Sequence, residues 1–280
     1  MVFPDDGLNA VEEGIPKRII QTGPSRDLPL LHRAAAANIR LLNPEFEHCF
    51  FDNDDVERFF DTEFPEYRRI FDSFRFRIQK YDFFRYLAVY RYGGFYLDLD
   101  VLLAAGLSSL TDHGCVFPFE DLNIDGFLRR RYGMDWTIGN YAFGARAGHP
   151  FLWEVIQSCV RAHEHPEWVE PALREIPRMF RDDFFVLSTT GPLLLSRTLA
   201  ETALRGEVTV LFPDDVRCPG TWHTFGQVGI HLMEGSWRRN DKPIRRRLRL
   251  MWEWWMVRKF MRESARLGAV RELARVSTPV

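Results

Sequence analysis

The chain has 280 residues, of which 46% are hydrophobic and 14% aromatic, and its formal net charge is −2. This composition supports a large buried core and excludes a mainly disordered chain. The four cysteines are scattered without a C-x-x-C pair, so neither a zinc site nor a disulfide framework is indicated, and a reducing compartment is expected.

The N-terminal residues, MVFPDDGLNAVEEG, do not resemble a signal peptide, because they carry acids where such a peptide has bases and an apolar run. No stretch approaches the roughly 18 apolar residues of a membrane span. We therefore expect a cytoplasmic protein that could still lie peripherally on the inner face of the membrane.

Short apolar runs alternate with longer helical patterns, which is typical of an α/β fold. IPKRIIQTG from Ile15 predicts a first strand, the span from about Leu28 to Leu42 a helix, and EFEHCFFD from Glu45 a second strand. The residues from Asp54 to Phe74 predict two short helices broken at Pro65.

Later segments continue the alternation. HPFLWEVIQSCVRAH from His149 and GPLLLSRTLAETALRG from Gly191 predict helices, the second ending at Gly206. EVTVLFP and TFGQVGIHLM predict late strands. His231 follows the apolar run VGI, so it is expected at a strand end.

The central stretch YDFFRYLAVYRYGGFYLDLDV predicts a helix from Tyr81 that ends at two glycines, followed by a strand. Alternation along FYLDLDV places Asp98 and Asp100 on one face, with α-carbons about 6.6 Å apart. Two such carboxylates repel each other, so the pair needs a cation or a proton. Mg²⁺ or Mn²⁺ is the simplest solution, since carboxylate oxygens suit both ions. The alternative is a pair of solvated acids at a strand end.

Asp82 and Arg85 are three residues apart in the predicted helix, so both side chains can face the cleft beside Asp98 and Asp100. An ordinary helix-surface ion pair is the alternative interpretation.

Five segments together carry a family resemblance: IPKRIIQTG, the block around the two glycines, NYAFGARAGHP, TTGP and HLMEGSW. In order and spacing they resemble the D-x-D sugar-nucleotide glycosyltransferases of family 32, over about residues 15 to 237. That family includes the yeast-type initiating α-mannosyltransferase and bacterial polysaccharide enzymes, and its core is similar to the glucosylating clostridial toxins. The resemblance implies a GT-A-like, Rossmann-type nucleotide-sugar-binding fold, a UDP- or GDP-linked donor, a divalent metal and retention of anomeric configuration.

The resemblance also implies roles for individual residues. Asp98 and Asp100 match catalytic metal and ribose ligands, and His231 matches a third metal ligand. The remaining matches are donor contacts: Gln21 and Thr22 at the nucleoside pocket, Asp82 and Arg85 at the sugar, Asn140 and Tyr141 on the sugar and acceptor side, and Gly235, Ser236 and Trp237 at the diphosphate. Gly23 departs from the family, which usually has an aromatic residue there. Packing is the alternative role for His231 and Trp237, and turn formation for Asn140.

Charge divides the chain into an acidic body and a basic tail. Residues 237–280 contain 13 Lys and Arg against 4 Asp and Glu, whereas the preceding residues contain 24 against 35. We expect a catalytic domain over 1–237 and a Trp-rich helical appendage over 238–280, with Pro243 in its first helical turn. Three tryptophans among arginines are typical of a helix at an anionic membrane surface, or of one packed on the domain. Nucleic-acid binding is not expected, because the acidic body opposes it.

The sequence thus predicts a retaining, metal-dependent transferase that moves a hexose to a glycan or glycolipid acceptor in surface polysaccharide biosynthesis. A haloacid-dehalogenase-type phosphotransferase with Asp98 as nucleophile is one alternative, although Leu102 replaces the Thr or Val of that motif. A catalytically inactive sugar-binding domain is the other. Spacing assigns neither Glu120 nor Asp121 as a nucleophile.

Overall fold

The computed structural model describes residues 14–122, 126–174, 176–233 and 243–267. The ten strands of these residues are β1 (Arg18–Thr22), β2 (Glu47–Phe51), β3 (Gly94–Leu97), β4 (Val101–Leu103), β5 (Cys115–Leu122), β6 (Trp136–Ile138), β7 (Ala142–Ala145), β8 (Thr209–Leu211), β9 (Thr224–Phe225) and β10 (Gly229–His231). Their α-helices are α1 (Leu30–Leu42), α2 (Asn53–Thr62), α3 (Arg68–Ser73), α4 (Arg77–Tyr92), α5 (Phe127–Tyr132), α6 (Pro150–Glu164), α7 (Pro166–Leu173), α8 (Arg181–Thr189), α9 (Pro192–Glu201) and α10 (Pro243–Leu267).

A seven-stranded mixed sheet organises the fold. Its order is β2-β1-β3-β7-β5-β6, and β8 lies parallel to β5. Strand β1 runs parallel to both β2 and β3, whereas β7 runs antiparallel to β3 and β5. The parallel part brings the carboxyl ends of three strands to one edge, where α/β folds bind ligands. The predicted α/β class is confirmed.

The continuous strand predicted for FYLDLDV is wrong. Strand β3 ends at Leu97 and β4 begins at Val101, in a second sheet of order β4-β10-β9. The carbonyl of Asp98 accepts a hydrogen bond from the N–H of Val101 (3.2 Å), while the N–H of Asp98 donates to Tyr141 O (2.7 Å). The D-x-D segment is therefore a tight turn that passes the chain from one sheet to the other.

Helix α4 is central to the core, and its middle turns are buried on every side. It begins at Arg77, before the predicted Tyr81, because the Gln79 side chain accepts a hydrogen bond from the N–H of Phe76 (3.0 Å). It ends where predicted, at Gly93, with a φ of 63°. Because a side chain would resist that left-handed φ, glycine lets the chain turn directly into β3.

Two later predictions need correction. Helix α9 ends at Glu201, before the predicted Gly206, and Thr202 caps a 3-10 turn over Ala203–Glu207 by accepting from the N–H of Leu204 (3.2 Å). TFGQVGIHLM forms the hairpin β9–β10 and not one strand, with His231 at its end as predicted.

Helix α10 packs on the domain through one side. The Trp252 ring lies 5.5 Å from the rings of both Phe180 and Phe184, and Arg249 forms a buried ion pair with Asp183 (3.0 Å). Among the described residues, none of the helices has both the length and the apolar character that a membrane span requires.

Candidate active site

Two acids and a histidine converge where the two sheets meet. One ligand atom each from Asp98, Asp100 and His231 lies within 4.8 Å of the others, and Asp100 Oδ1 is 3.3 Å from His231 Nε2. Antiparallel pairing places β10 beside β4, and the N–H of Leu232 donates to the carbonyl of Asp100 (2.9 Å). Carboxylate oxygens and a neutral imidazole suit Mn²⁺ or Mg²⁺, so these residues fit a divalent cation.

Asp98, Asp100 and His231 are called the metal corner below. Tyr141 supports the imidazole of His231 in this corner. Its ring stacks on His231 with centroids 4.4 Å apart and an interplanar angle of 17°. Its hydroxyl donates to the carbonyl of Thr224 (2.9 Å), which fixes the ring in place. The sequence assigns Tyr141 to the sugar and acceptor side, but its side chain is buried beneath His231.

Arg85 connects Asp82, a predicted donor contact, with Asp98, a predicted metal ligand. Its Nη2 is 3.1 Å from Asp82 Oδ1, and its Nη1 is 3.4 Å from Asp98 Oδ1. The same Nη1 donates to the carbonyl of Asn140 (2.8 Å). Burial alone would lower the pKa of Arg85, but Asp98, Tyr96 and Asp82 raise it further above its ordinary value. The guanidinium therefore stays charged and holds one side of the cleft.

Asp82 is fixed from two further directions. Its Oδ1 accepts a hydrogen bond from Asn140 Nδ2 (3.0 Å), and its Oδ2 accepts one from the Thr190 hydroxyl (2.9 Å). Burial raises the pKa of Asp82 to about 6, although Arg85 and Thr190 oppose that rise. Sequence reasoning missed Thr190 as a contributor, even though it lies within the quoted TTGP motif.

The surrounding fold disfavours the ionised form of the Asp98 carboxylate. Burial raises its pKa above the ordinary value, with Asp100 adding to the rise and Arg85 opposing it. The Tyr96 hydroxyl donates to its Oδ1 (2.9 Å). A cation between Asp98 and Asp100 would remove much of this cost, because opposite charge stabilises the ionised form.

Gln21 and Thr22 lie at the carboxyl end of β1, close to the D-x-D turn. Gln21 Nε2 donates to Leu97 O (3.4 Å), and the Thr22 hydroxyl donates to the carbonyl of Phe51 (2.9 Å). An ideal Cβ on Gly23 would lie only 2.9 Å from Leu99 Cδ1 and 3.1 Å from Phe50 Cζ. Leu99 and Phe50 thus leave little room for a side chain at position 23.

The predicted diphosphate contacts, Gly235, Ser236 and Trp237, lie outside the described residues.

A second polar group lies beside the metal corner, where the β5–β6 pairing shifts register between Phe119 and Leu122. Glu120 Oε1 is 3.5 Å from Nδ1 of His223. The Thr137 hydroxyl donates to Asp121 Oδ1 (2.6 Å). Sequence reasoning left Glu120 and Asp121 unassigned and missed His223, because TWHTF shows no recognisable pattern.

The charges of this group depend on one another. Burial and the Glu120 carboxylate raise the pKa of Asp121 to about 7. Burial lowers the pKa of His223, but Glu120, Asp121 and Glu253 outweigh it and raise the value overall. Since Glu253 belongs to α10, that helix borders the group.

A family model described as "Glycosyltransferase sugar-binding region containing DXD motif" matches residues 30–117. Over these residues the chain is similar to that glycosyltransferase family. The family resemblance predicted from the motifs is thereby confirmed. The match spans Asp82, Arg85, Asp98 and Asp100 but ends before Asn140 and His231, so the relation of these last two to the D-x-D turn comes from the fold.

Several fungal proteins are similar to this chain. It is 30% identical over 187 residues to inositol phosphoceramide mannosyltransferase 3 of Schizosaccharomyces pombe, covering 65% of this chain and 44% of that protein. It is 25% identical to mannosyl phosphorylinositol ceramide synthase CSH1 of Saccharomyces cerevisiae, covering 79% and 57%. The chain thus spans about half the length of the curated relatives it matches. A UDP-bound glycosyltransferase domain from the YGT toxin is similar with a TM-score of 0.46 and 9% identity, covering 71% of this chain and 80% of that one.

Proposed function

We propose that the protein transfers one hexose from a nucleotide-sugar donor to a lipid-linked or glycan acceptor, with retention of configuration and with Mn²⁺ or Mg²⁺. The observation that carries this proposal is the convergence of Asp98, Asp100 and His231 within 4.8 Å, beside the buried Asp82–Arg85 pair. Similarity to the D-x-D glycosyltransferase family model supports the reaction class. The proposed donors are a UDP-sugar or GDP-mannose, and the mannosyltransferase names of the relatives favour the latter.

Each side chain has a distinct task in this proposal. Asp98, Asp100 and His231 would hold the cation, and Arg85 would orient Asp98 while remaining charged next to the donor. Asp82 would accept hydrogen bonds from hydroxyl groups of the donor sugar, because Asn140 and Thr190 fix its position. The bound cation would stabilise the negative charge that develops on the diphosphate as it leaves.

The two alternative functions are less well supported. In a haloacid-dehalogenase-type enzyme, Asp98 would have to attack a phosphate, yet its Oδ1 accepts a hydrogen bond from Tyr96 and its carboxylate contacts Arg85. A purely sugar-binding domain would not require three converging metal ligands. The names of the relatives also point to glycosyl transfer.

We further propose that the acceptor is lipid-linked and that α10 lies on an anionic membrane surface. Trp254 and Trp255 are 57% and 55% exposed, although Trp252 in the same turn packs on the domain. The Arg258 guanidinium lies 4.0 Å from the Trp254 ring centroid, and Lys259 Nζ lies 5.6 Å from that of Trp255. Exposed tryptophans beside bases are typical of helices at lipid headgroups.

The position of α10 beside the candidate site connects the proposed membrane contact with the proposed reaction. The charge of Glu253 on α10 acts on Asp121 and His223 beside the metal corner. A headgroup acceptor held at this helix would therefore be presented near the cleft. The division into a 1–237 domain and a 238–280 appendage is part of the same proposal. A role in surface polysaccharide synthesis stays a prediction, and the ceramide-lipid names of the relatives favour a glycolipid acceptor.

The decisive experiment is turnover of a donor panel. The pure protein would be incubated with UDP-glucose, UDP-galactose, UDP-N-acetylglucosamine and GDP-mannose, each with Mn²⁺ and with a chelator. Release of nucleoside diphosphate from at least one donor, only with the metal, is the expected result. The proposal would be overturned if the protein neither bound nor turned over any donor of the panel.

A further inference from the structure

The side-chain amide of Asn140 lies beside the D-x-D turn. The N–H of Asp98 in that turn donates to the carbonyl of the neighbouring Tyr141 (2.7 Å), and Arg85 Nη1 donates to the carbonyl of Asn140 itself (2.8 Å). The backbone of Asn140 is therefore fixed between the metal corner and the buried Asp82–Arg85 pair.

Both protons of this amide are used inside the protein. Asn140 Nδ2 donates to Asp82 Oδ1 (3.0 Å) and to the hydroxyl oxygen of Tyr86 (3.0 Å). A reversed amide would place its oxygen against the Asp82 carboxylate, and in its ionised form a carboxylate has no proton to donate. The two contacts therefore fix which end of the amide points inward.

Tyr86 fixes the direction of the second contact. Its hydroxyl donates to the carbonyl of Thr190 (2.7 Å), so its single proton is used and its oxygen accepts from Asn140. Burial raises the pKa of Tyr86 well above its ordinary value, and Asp82 adds to the rise, so the hydroxyl keeps that proton. The Thr190 hydroxyl then donates to Asp82 Oδ2 (2.9 Å). Asp82, Asn140, Tyr86 and Thr190 thus form a closed ring of hydrogen bonds.

The ring leaves the oxygen of the Asn140 amide for a ligand. Within the part of the chain that the structure describes, Asn140 Oδ1 accepts no hydrogen bond, yet it is not one of the unpartnered atoms sealed from solvent. An amide oxygen only accepts hydrogen bonds. A group that binds there must therefore supply an O–H or N–H proton.

Sheet order separates Asn140 from the predicted nucleoside pocket. Gln21 and Thr22 end β1, Asn140 precedes β7, and β3 with the D-x-D turn lies between these two strands. A nucleotide sugar whose diphosphate meets the metal corner would therefore extend its nucleoside toward β1 and its sugar toward β7. The proton that reaches Asn140 Oδ1 would then come from the sugar.

Resting on the proposed function, we propose that Tyr86 is a positioning residue whose hydroxyl orients the Asn140 amide, so that Oδ1 accepts a hydrogen bond from a hydroxyl group of the donor sugar. Tyr86 itself is fully buried and touches no ligand. Asn140 thereby distinguishes a hydroxyl from a substituent that has no proton to donate. Sites built around such a hydrogen bond reject analogues that lack it, because the protein group is left unpaired.

The test compares two affinities in the presence of Mn²⁺, one for the nucleotide sugar chosen from the donor panel and one for its nucleoside diphosphate. We expect Tyr86→Phe to weaken binding of the nucleotide sugar about tenfold and that of the nucleoside diphosphate less than about twofold. Tyr67→Phe is the matched control, because it removes a partly buried hydroxyl that binds Gln157 (2.9 Å) far from this ring in the sequence. It should change neither affinity.

Donor analogues test the direction of the hydrogen bond. In each analogue one sugar hydroxyl is replaced by hydrogen or by fluorine, and binding is measured for wild type and Asn140→Ala. At one ring position both replacements should weaken binding to wild type about tenfold, because neither can donate a proton, and should weaken binding to Asn140→Ala less than about twofold. This comparison decides the inference even if Tyr86→Phe does not fold.

Three results would overturn the inference and leave the proposed function intact. The first is wild-type affinity for the nucleotide sugar in folded Tyr86→Phe. The second is an equal loss of both affinities in that variant, because Tyr86 would then support the whole cleft and not the sugar contact. The third is the absence of any sugar position whose replacement depends on Asn140. A wild-type protein that binds no donor of the panel would overturn the proposed function itself, and this inference with it.

Discussion

Arg85 and Asp82 form an ion pair inside helix α4, with 3.1 Å between Nη2 and Oδ1, and both side chains are almost completely buried. A buried pair is strongly destabilising to break, because the remaining charge loses both its partner and its water. Asp98 depends on the same guanidinium. The pair therefore connects the stability of the core with the order of the candidate site.

Replacing Arg85 with Ala should reduce the free energy of unfolding by about 3 to 5 kcal/mol, since the buried Asp82 and the partly exposed Asp98 lose their counter-charge. Arg91 pairs with Glu63 at 2.8 Å on the surface and is a matched control. Arg91→Ala should cost less than about 1 kcal/mol. Urea unfolding without added metal measures both values, and equal losses in the two variants would contradict this account of the core.

Asp121 should make the protein less stable as the pH rises. Its pKa is about 7 in the folded state against an ordinary value of 3.8, so the folded state binds the proton more tightly. The stability that this proton contributes is complete below the ordinary pKa and is lost as the pH rises toward the folded value. The raised pKa of His223 acts in the same direction.

Asp121→Asn should therefore lose less stability than wild type between about pH 5 and pH 8. One pKa unit corresponds to about 1.4 kcal/mol. Because Asp121 is partly exposed, wild type should lose about 2 kcal/mol more stability than Asp121→Asn over this pH range. Urea unfolding at the two pH values measures it. Parallel pH profiles for the two proteins would show that Asp121 is not the responsible group.

Membrane binding by α10 should depend on Trp254 and Trp255 and not on Trp252. The double variant Trp254→Ser, Trp255→Ser should keep its unfolding temperature, because both side chains are exposed, but should lose salt-sensitive co-sedimentation with phosphatidylserine vesicles. Trp252→Ala is the control, which should destabilise the fold by about 3 kcal/mol.

These substitutions are preferable to removal of everything after Asn240. That truncation would also remove Arg249 and leave Asp183 buried without this partner. Co-sedimentation of the double variant at the wild-type level, or equal recovery of wild type in the supernatant with and without anionic vesicles, would rule out the membrane role.

The sequence predicted features that local spacing determines. The end of α4 at Gly93 and the position of His231 at a strand end both follow from short patterns. The D-x-D turn could not be predicted in this way, because Val101 pairs with His231 of a strand that is distant in the sequence. The contacts of Thr190 with Asp82 and of His223 with Glu120 likewise depend on tertiary packing.

The tail illustrates the same limit. Its composition favoured membrane contact and packing about equally; the structure packs Trp252 on the domain and leaves Trp254 of the same turn exposed, and membrane contact stays a prediction. Which side of a helix faces the domain depended here on Phe180 and Phe184, which no local pattern connects to the tail.

The most direct test of the central claim is Mn²⁺ binding and Mn²⁺-dependent donor turnover by Asp98→Asn and Asp100→Asn. Each should weaken Mn²⁺ binding at least about tenfold and lower turnover by about 100-fold. Asp100→Asn should not lower the unfolding temperature, because it removes charge from a repulsive pair. Asp98→Asn should lower it only slightly, because Arg85 keeps its buried partner Asp82. Asp215→Asn, at an exposed pair with Arg217, should change neither property. Wild-type turnover and metal response in either Asp98→Asn or Asp100→Asn would contradict the metal site.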